Sequence, residues 1–103
     1  MGKAEGVVSS LTFCTIAYVL RKNVPQGAVR KNLRFLRDIL TPVDLSVSIL
    51  DRAIDSTIAD FEDAAQYFTA VYSGADYIIT RNVKHFPHDF RPVLTPTAFL
   101  ALQ

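Results

Sequence analysis

The chain has 103 residues, half of them hydrophobic and 20% charged, with a formal net charge of +1. That length and apolar share suit one domain with a single core, residues 1–103, and argue against a disordered chain. The near-neutral charge neither demands nor excludes a nucleic-acid partner, while the single cysteine, Cys14, excludes an intramolecular disulfide and fits a reducing, cytoplasmic setting.

Residues 1–6 read as a short polar lead, followed by a brief strand at Val7-Val8-Ser9. Ser9 or Ser10 then caps a helix to about Lys22, with Leu11, Ile16, Val19 and Leu20 turned inward and Cys14 packed in the core. Residues 7–20 lean apolar but are broken by Ser9, Ser10, Thr12 and Thr15. They are too short to span a bilayer and lack the flanks of a signal peptide, so no membrane role is expected. Asn23-Val24-Pro25 ends this helix, because the residue before a proline avoids helical torsions.

A second helix covers roughly residues 26–40, with Val29, Leu33, Leu36 and Leu40 on its inner face. Arg30, Lys31, Arg34 and Arg37 form an outer basic stripe, either simply solvated or in contact with phosphates. Thr41-Pro42-Val43 is an edge strand, since proline cannot donate to a ladder, and Asp44 caps a helix to about Ile54. Residues 55–59 are a loop.

Asp60-Phe61-Glu62-Asp63 opens the next helix, whose Ala64, Phe68 and Val71 line one face and whose end falls at Gly74, a left-handed cap. These acids suit the helix start by themselves: Asp60 is an N-cap residue, Asp63 sits where a capping partner sits, and Glu62 complements the dipole. Tyr77-Ile78-Ile79-Thr80 reads as a buried parallel strand ending in the polar cluster Thr80-Arg81-Asn82 and Lys84-His85. Ligands bind beyond the carboxyl ends of strands in open α/β sheets, so this strand end and the Asp60 helix start are expected to share a site. Residues 81–91 have no regular period, Pro92-Val93-Leu94 is the last strand, and Thr95 caps a final helix with Pro96 at its first position. Short strands alternating with helices imply an α/β sandwich with a parallel sheet.

The series DFEDA, GADYIIT, TRN-x-K-x-F and the closing PVLTPTAFL resembles the C-terminal part of a PIN domain, as in the VapC-like toxin ribonucleases of toxin–antitoxin pairs. The resemblance implies a three-layer α/β/α sandwich and hydrolysis of single-stranded RNA with Mg2+ or Mn2+ held by clustered carboxylates. Carried over by position, Asp63 matches the family's helix-start acid, with Asp60 as a second metal-holding and catalytic acid in the first turn. Asn82 matches the residue that orients a water or metal ligand. Ser9 and Thr12 offer hydroxyls to phosphate, Thr15 stands where many members carry a glutamate, and Arg81 and Lys84 steady the RNA backbone or form salt bridges.

The sequence departs from the family at its start. Nothing here matches the family's first, central strand with its aspartate, so the resemblance implies a domain shortened at its N-terminus. Only part of the acidic site remains. Such a chain is expected either to work as an impaired nuclease, or to act as an inactive remnant through homo-oligomers or an antitoxin-like protein partner, since a missing mid-sheet strand opens two edges. His85 and His88 around Pro87 are a weak zinc signal and read as surface histidines, His85 near Asn82 being a possible phosphate contact. Tyr67, Phe68, Tyr72 and Tyr77 read as core or interface residues. Neither a nucleophile elbow nor a Gly-rich phosphate loop appears.

Overall fold

The computed structural model describes residues 5–102, so most of the expected polar lead lies outside the described residues. The chain divides into two compact units, Met1–Leu45 and Ser46–Gln103. Among the described residues there are five α-helices and two separate two-stranded parallel sheets, a mixed α/β architecture. No helix among them is long and apolar enough to cross a membrane.

In the first unit the order is β1 (Gly6–Ser9), α1 (Leu11–Asn23), α2 (Gln26–Ile39) and β2 (Leu40–Val43). A parallel pair cannot be joined by a hairpin, and the two helices supply the crossover. Gly6 faces Leu40 and Ser9 faces Val43, and the Ser10 N–H extends the ladder to the Val43 carbonyl at 2.9 Å. The strands approach closely at Gly6, where an added Cβ would lie 2.7 Å from Leu40 Cδ2. Val24 is extended at φ −135° and ψ 158°, so the break before Pro25 forms as the sequence predicts.

Two expectations for α1 fail. Cys14 is exposed rather than packed in a core, and Val19 is 50% exposed. At about 100° per residue, Phe13, Ile16 and Leu20 share an arc of roughly 60°, whereas Val19 lies about 60° beyond it on one side and Cys14 about 100° beyond it on the other. Phe13, not counted among the inward residues from sequence, belongs to the half-buried face with Ile16 and Leu20. In α2 the expected face is present, with Val29, Leu33 and Leu36 half-buried and the basic residues exposed; Leu40, also half-buried, begins β2.

The second unit contains α3 (Val47–Asp55), α4 (Phe61–Ser73), β3 (Ile78–Ile79), a single 3-10 turn (Val83–His85), β4 (Val93–Leu94) and α5 (Pro96–Leu100). Ser46, not Asp44, caps α3, its Oγ accepting the Ile49 N–H at 3.2 Å. The reason is strand length: β2 runs to Val43, and Asp44-Leu45 is needed as a link before a helix can begin.

α3 and α4 pack with Ile49, Ala53, Ala64, Ala65, Tyr67 and Phe68 buried, joined by Ile78, Phe86 and Val93. The three buried alanines allow close helix approach, and the Tyr67 and Phe68 rings meet edge-on at 5.0 Å. Thr69 is buried but satisfied, its hydroxyl donating to the Ala65 carbonyl at 2.7 Å. Gly74 adopts φ 71°, the left-handed cap that only glycine takes without strain.

β3 pairs in parallel with β4, Ile78 opposite Val93 and Ile79 opposite Leu94. The strand is shorter than its β-branched run suggests and is buried on one face only. Ile78 is buried, whereas Tyr77 and Ile79 are 40% and 43% exposed, as the two-residue period requires when one side is covered. Tyr77 instead rests edge-on against Phe99 at 5.6 Å. Tyr72 is also exposed. Thr95 caps α5 through the Ala98 N–H at 3.1 Å, with Pro96 in the first turn.

Candidate active site at the start of the fourth helix

Asp60 sits just outside α4 with extended torsions (φ −93°, ψ 124°), and its Oδ1 accepts the Asp63 N–H at 2.9 Å. It is the N-cap that its residue type and position predict, next to the first turn. One of its oxygens is therefore committed to ending the helix. Asp63 lies in the first turn, where the unpaired N–H groups and helix dipole favour negative charge. Its side chain keeps 24% of its surface exposed.

From the other direction, the carboxyl end of β3 folds back through two local hydrogen bonds. Thr80 Oγ1 accepts the Asn82 N–H at 3.0 Å, and the Asn82 carbonyl accepts the His85 N–H at 2.9 Å. The 3-10 turn so formed swings His85 toward α4, and its Nδ1 lies 3.5 Å from Asp63 Oδ2. The helix start and the polar strand end thus meet, but the contact is made by His85.

Asn82 and Arg81 are exposed, and among the described residues neither is hydrogen-bonded or ion-paired to Asp63. Lys84 and His85 line a depression of about 470 Å³ with Asp60, Ile58, Phe86 and Pro87 among its other walls. His88 turns elsewhere, its Nε2 3.3 Å from the Val83 carbonyl.

The hydroxyl candidates belong to the first unit. Ser9 is fully buried, and its Oγ accepts the Leu11 N–H at 3.2 Å, which makes it the residue that turns β1 into α1. Thr15 Oγ1 donates to the Leu11 carbonyl at 3.5 Å, and Thr12 is half-buried in the first turn of α1. The Asp63–His85 pair was not foreseen. Its sequence signal is faint: Thr80 and Asn82 spaced for a local turn, with a histidine three residues beyond Asn82.

A family profile described as PIN domain matches residues 1–84. The chain belongs to the PIN domain family. No curated protein and no solved structure matches it. The match takes in the Asp60 helix, β3 and Lys84, and ends before His85 and the Pro92-Val93-Leu94 strand. PIN membership means a nuclease-type fold, and PIN domains generally depend on a divalent metal.

The residues present do not by themselves make such a metal centre. Among the described residues no three His, Cys, Asp or Glu side chains converge on one point. Asp60 spends one oxygen on its cap, and Asp63 faces an imidazole. Mg2+ is usually held by one or two carboxylates with retained waters, and a lone carboxylate beside a nitrogen that carries positive charge when protonated is a poor start.

Proposed function

We propose that this PIN chain carries part of the site of a ribonuclease of the toxin–antitoxin type, acting by phosphodiester hydrolysis on single-stranded RNA. The observation that carries the reading is the partly exposed Asp63 carboxylate at the α4 start with His85 Nδ1 3.5 Å away, His85 itself bordering a depression that Asp60 and Lys84 also line. Asp63 is the central acid and Asp60 holds it in place through the cap. Lys84 supplies positive charge to a phosphate, Arg81 and Asn82 stand exposed at the same strand end, and His85 Nδ1 can hold a proton next to the carboxylate. Mg2+ or Mn2+ enters as the family's cofactor, and the remaining carboxylates come from outside this group.

The same reading includes a missing central strand of a three-layer sandwich. Among the described residues β1 pairs only with β2, and β3 only with β4, so both leave an edge able to accept a further strand bearing the family's first aspartate. Isolated two-stranded sheets are marginal, which favours such completion.

The test is cleavage of a labelled single-stranded RNA by the purified chain with Mn2+, with a chelator and Asp63→Asn as controls. Asparagine keeps the backbone N–H that Asp60 caps, so the fold is retained. Cleavage lost in both controls supports the assignment, and cleavage untouched by Asp63→Asn refutes it.

A second reading has its own observation. Among the described residues of the first unit no apolar side chain is fully buried, while Tyr18, Val19, Phe35 and Ile39 are each at least 50% exposed. An inactive PIN chain working through a second copy or an antitoxin-like protein would cover this surface. Light scattering separates the cases: an inactive chain that stays monomeric counts against it.

A further inference from the structure

Charge is divided unevenly along the chain. Residues 1–45 carry seven Lys/Arg and three Asp/Glu, a net +4, whereas residues 46–103 carry four and seven, a net −3. The overall value of +1 hides this contrast.

The basic charge is further focused on one edge of α2. Arg30, Arg34 and Arg37 fall within an arc of about 60° and rise by about 6 Å and 4.5 Å from one to the next. They line a depression of about 570 Å³ together with Phe13, Leu33 and Pro42. Arg30 also borders a neighbouring depression of about 690 Å³ with Tyr18 and Arg21, so the arginine row continues across to α1. Tyr18 is 52% exposed, with the Arg21 and Lys22 cations 4.9 Å and 4.3 Å from its ring centre. Among the described residues no carboxylate lies within ion-pair distance of Arg21, Arg30, Arg34 or Arg37. A solvated stripe needs no depression, no aromatic and no alignment of unpaired guanidinium groups.

We infer that the Arg30–Arg34–Arg37 edge of α2 binds the phosphate backbone of single-stranded RNA. Guanidinium groups grip phosphate bidentately, and the rise of about 4.5–6 Å between these residues along α2 is of the order of the spacing of successive phosphates of one strand. The exposed Tyr18 ring offers a stacking surface of the kind single-stranded binders use. A lipid surface fits less well: the exposed apolar residues of α2, Phe35 and Ile39, lie at least about 100° around the helix from this row, so charge and apolar area do not share one face. The choice of RNA rests on the ribonuclease reading, but the surface itself is independent of Asp63.

The test is fluorescence anisotropy of a labelled single-stranded RNA with the whole chain in EDTA, from 50 to 200 mM salt. Arg30→Gln/Arg34→Gln/Arg37→Gln should weaken binding at least tenfold at the lowest salt. It should also flatten the slope of log K against log salt by about 2, from about 0.7 per phosphate contact. Glutamine is a good helix former, and a matching thermal melt verifies that α2 persists. Lys31→Gln, about 60° beyond the nearest arginine of the row and not lining the depression, should change affinity less than twofold. Wild-type binding by the triple variant overturns the proposal, as does an equal loss in Lys31→Gln, which would mean diffuse charge. Displacement of the RNA by polyglutamate at equal charge overturns the choice of RNA in favour of an acidic protein segment. Binding intact with no cleavage in Mn2+ would count against the ribonuclease reading and leave this surface standing.

Discussion

Replacing Asp60 by alanine removes the acceptor that holds the Asp63 N–H at 2.9 Å and frees the first turn of α4. Loss of an N-cap of this type costs about 1 kcal/mol, within a range of roughly 0.5–2. Here the first turn leads directly into Ala64 and Ala65, both fully buried, so fraying cannot be absorbed at the surface and the upper half of that range is expected. For a domain of 60–100 residues, 1 kcal/mol lowers the melting temperature by about 4–8 °C. Asparagine keeps the side-chain oxygen but loses the negative charge at the helix start, which costs only about 0.3–1 kcal/mol. Thermal melts followed by circular dichroism therefore separate capping from charge. The expected order is wild type, Asp60→Asn, Asp60→Ala, with the larger step at the alanine variant. RNA cleavage measured on Asp60→Asn then shows whether the carboxylate has chemistry beyond the cap. An alanine variant that melts with the wild type, or an asparagine variant as unstable as alanine, refutes the capping argument.

Gly74→Ala places a Cβ in open space, with nothing within 4 Å, so its cost arises wholly from holding φ 71° and should be about 1–2 kcal/mol. The urea midpoint should fall at constant m, and an unchanged midpoint would contradict the left-handed cap. Tyr67 has its hydroxyl pKa raised, chiefly by burial and further by the Asp89 charge, with Arg52 opposing. The unfolded chain therefore loses this proton first: its contribution to stability is intact below about pH 10 and is lost as pH rises from there through the raised folded value. Stability measured from pH 8 upward should fall more steeply in the wild type than in Tyr67→Phe, and parallel profiles would exclude the effect.

What the sequence determined by itself are the features set over three or four residues. The Asp60 and Thr95 caps, the Gly74 stop and the break at Val24-Pro25 all appear where side-chain chemistry and allowed torsions put them. Each needs only a hydrogen bond to a nearby N–H or one backbone angle, and nothing distant competes. The family was legible for a related reason, since its pattern lies in these local punctuation marks and in the acids between them. The tertiary structure decided whatever depended on a partner element. Ser46 rather than Asp44 caps α3 because β2 pairs with β1 as far as Val43. Cys14 and Val19 face outward because packing selects the arc centred on Phe13, Ile16 and Leu20. Asp63 meets His85 rather than Asn82 because a 3-10 turn, closed after β3, rotates the chain before it reaches α4. A histidine and a carboxylate separated by a helix, a strand and a turn have no local geometry relating them, so only the folded backbone could bring them within 3.5 Å.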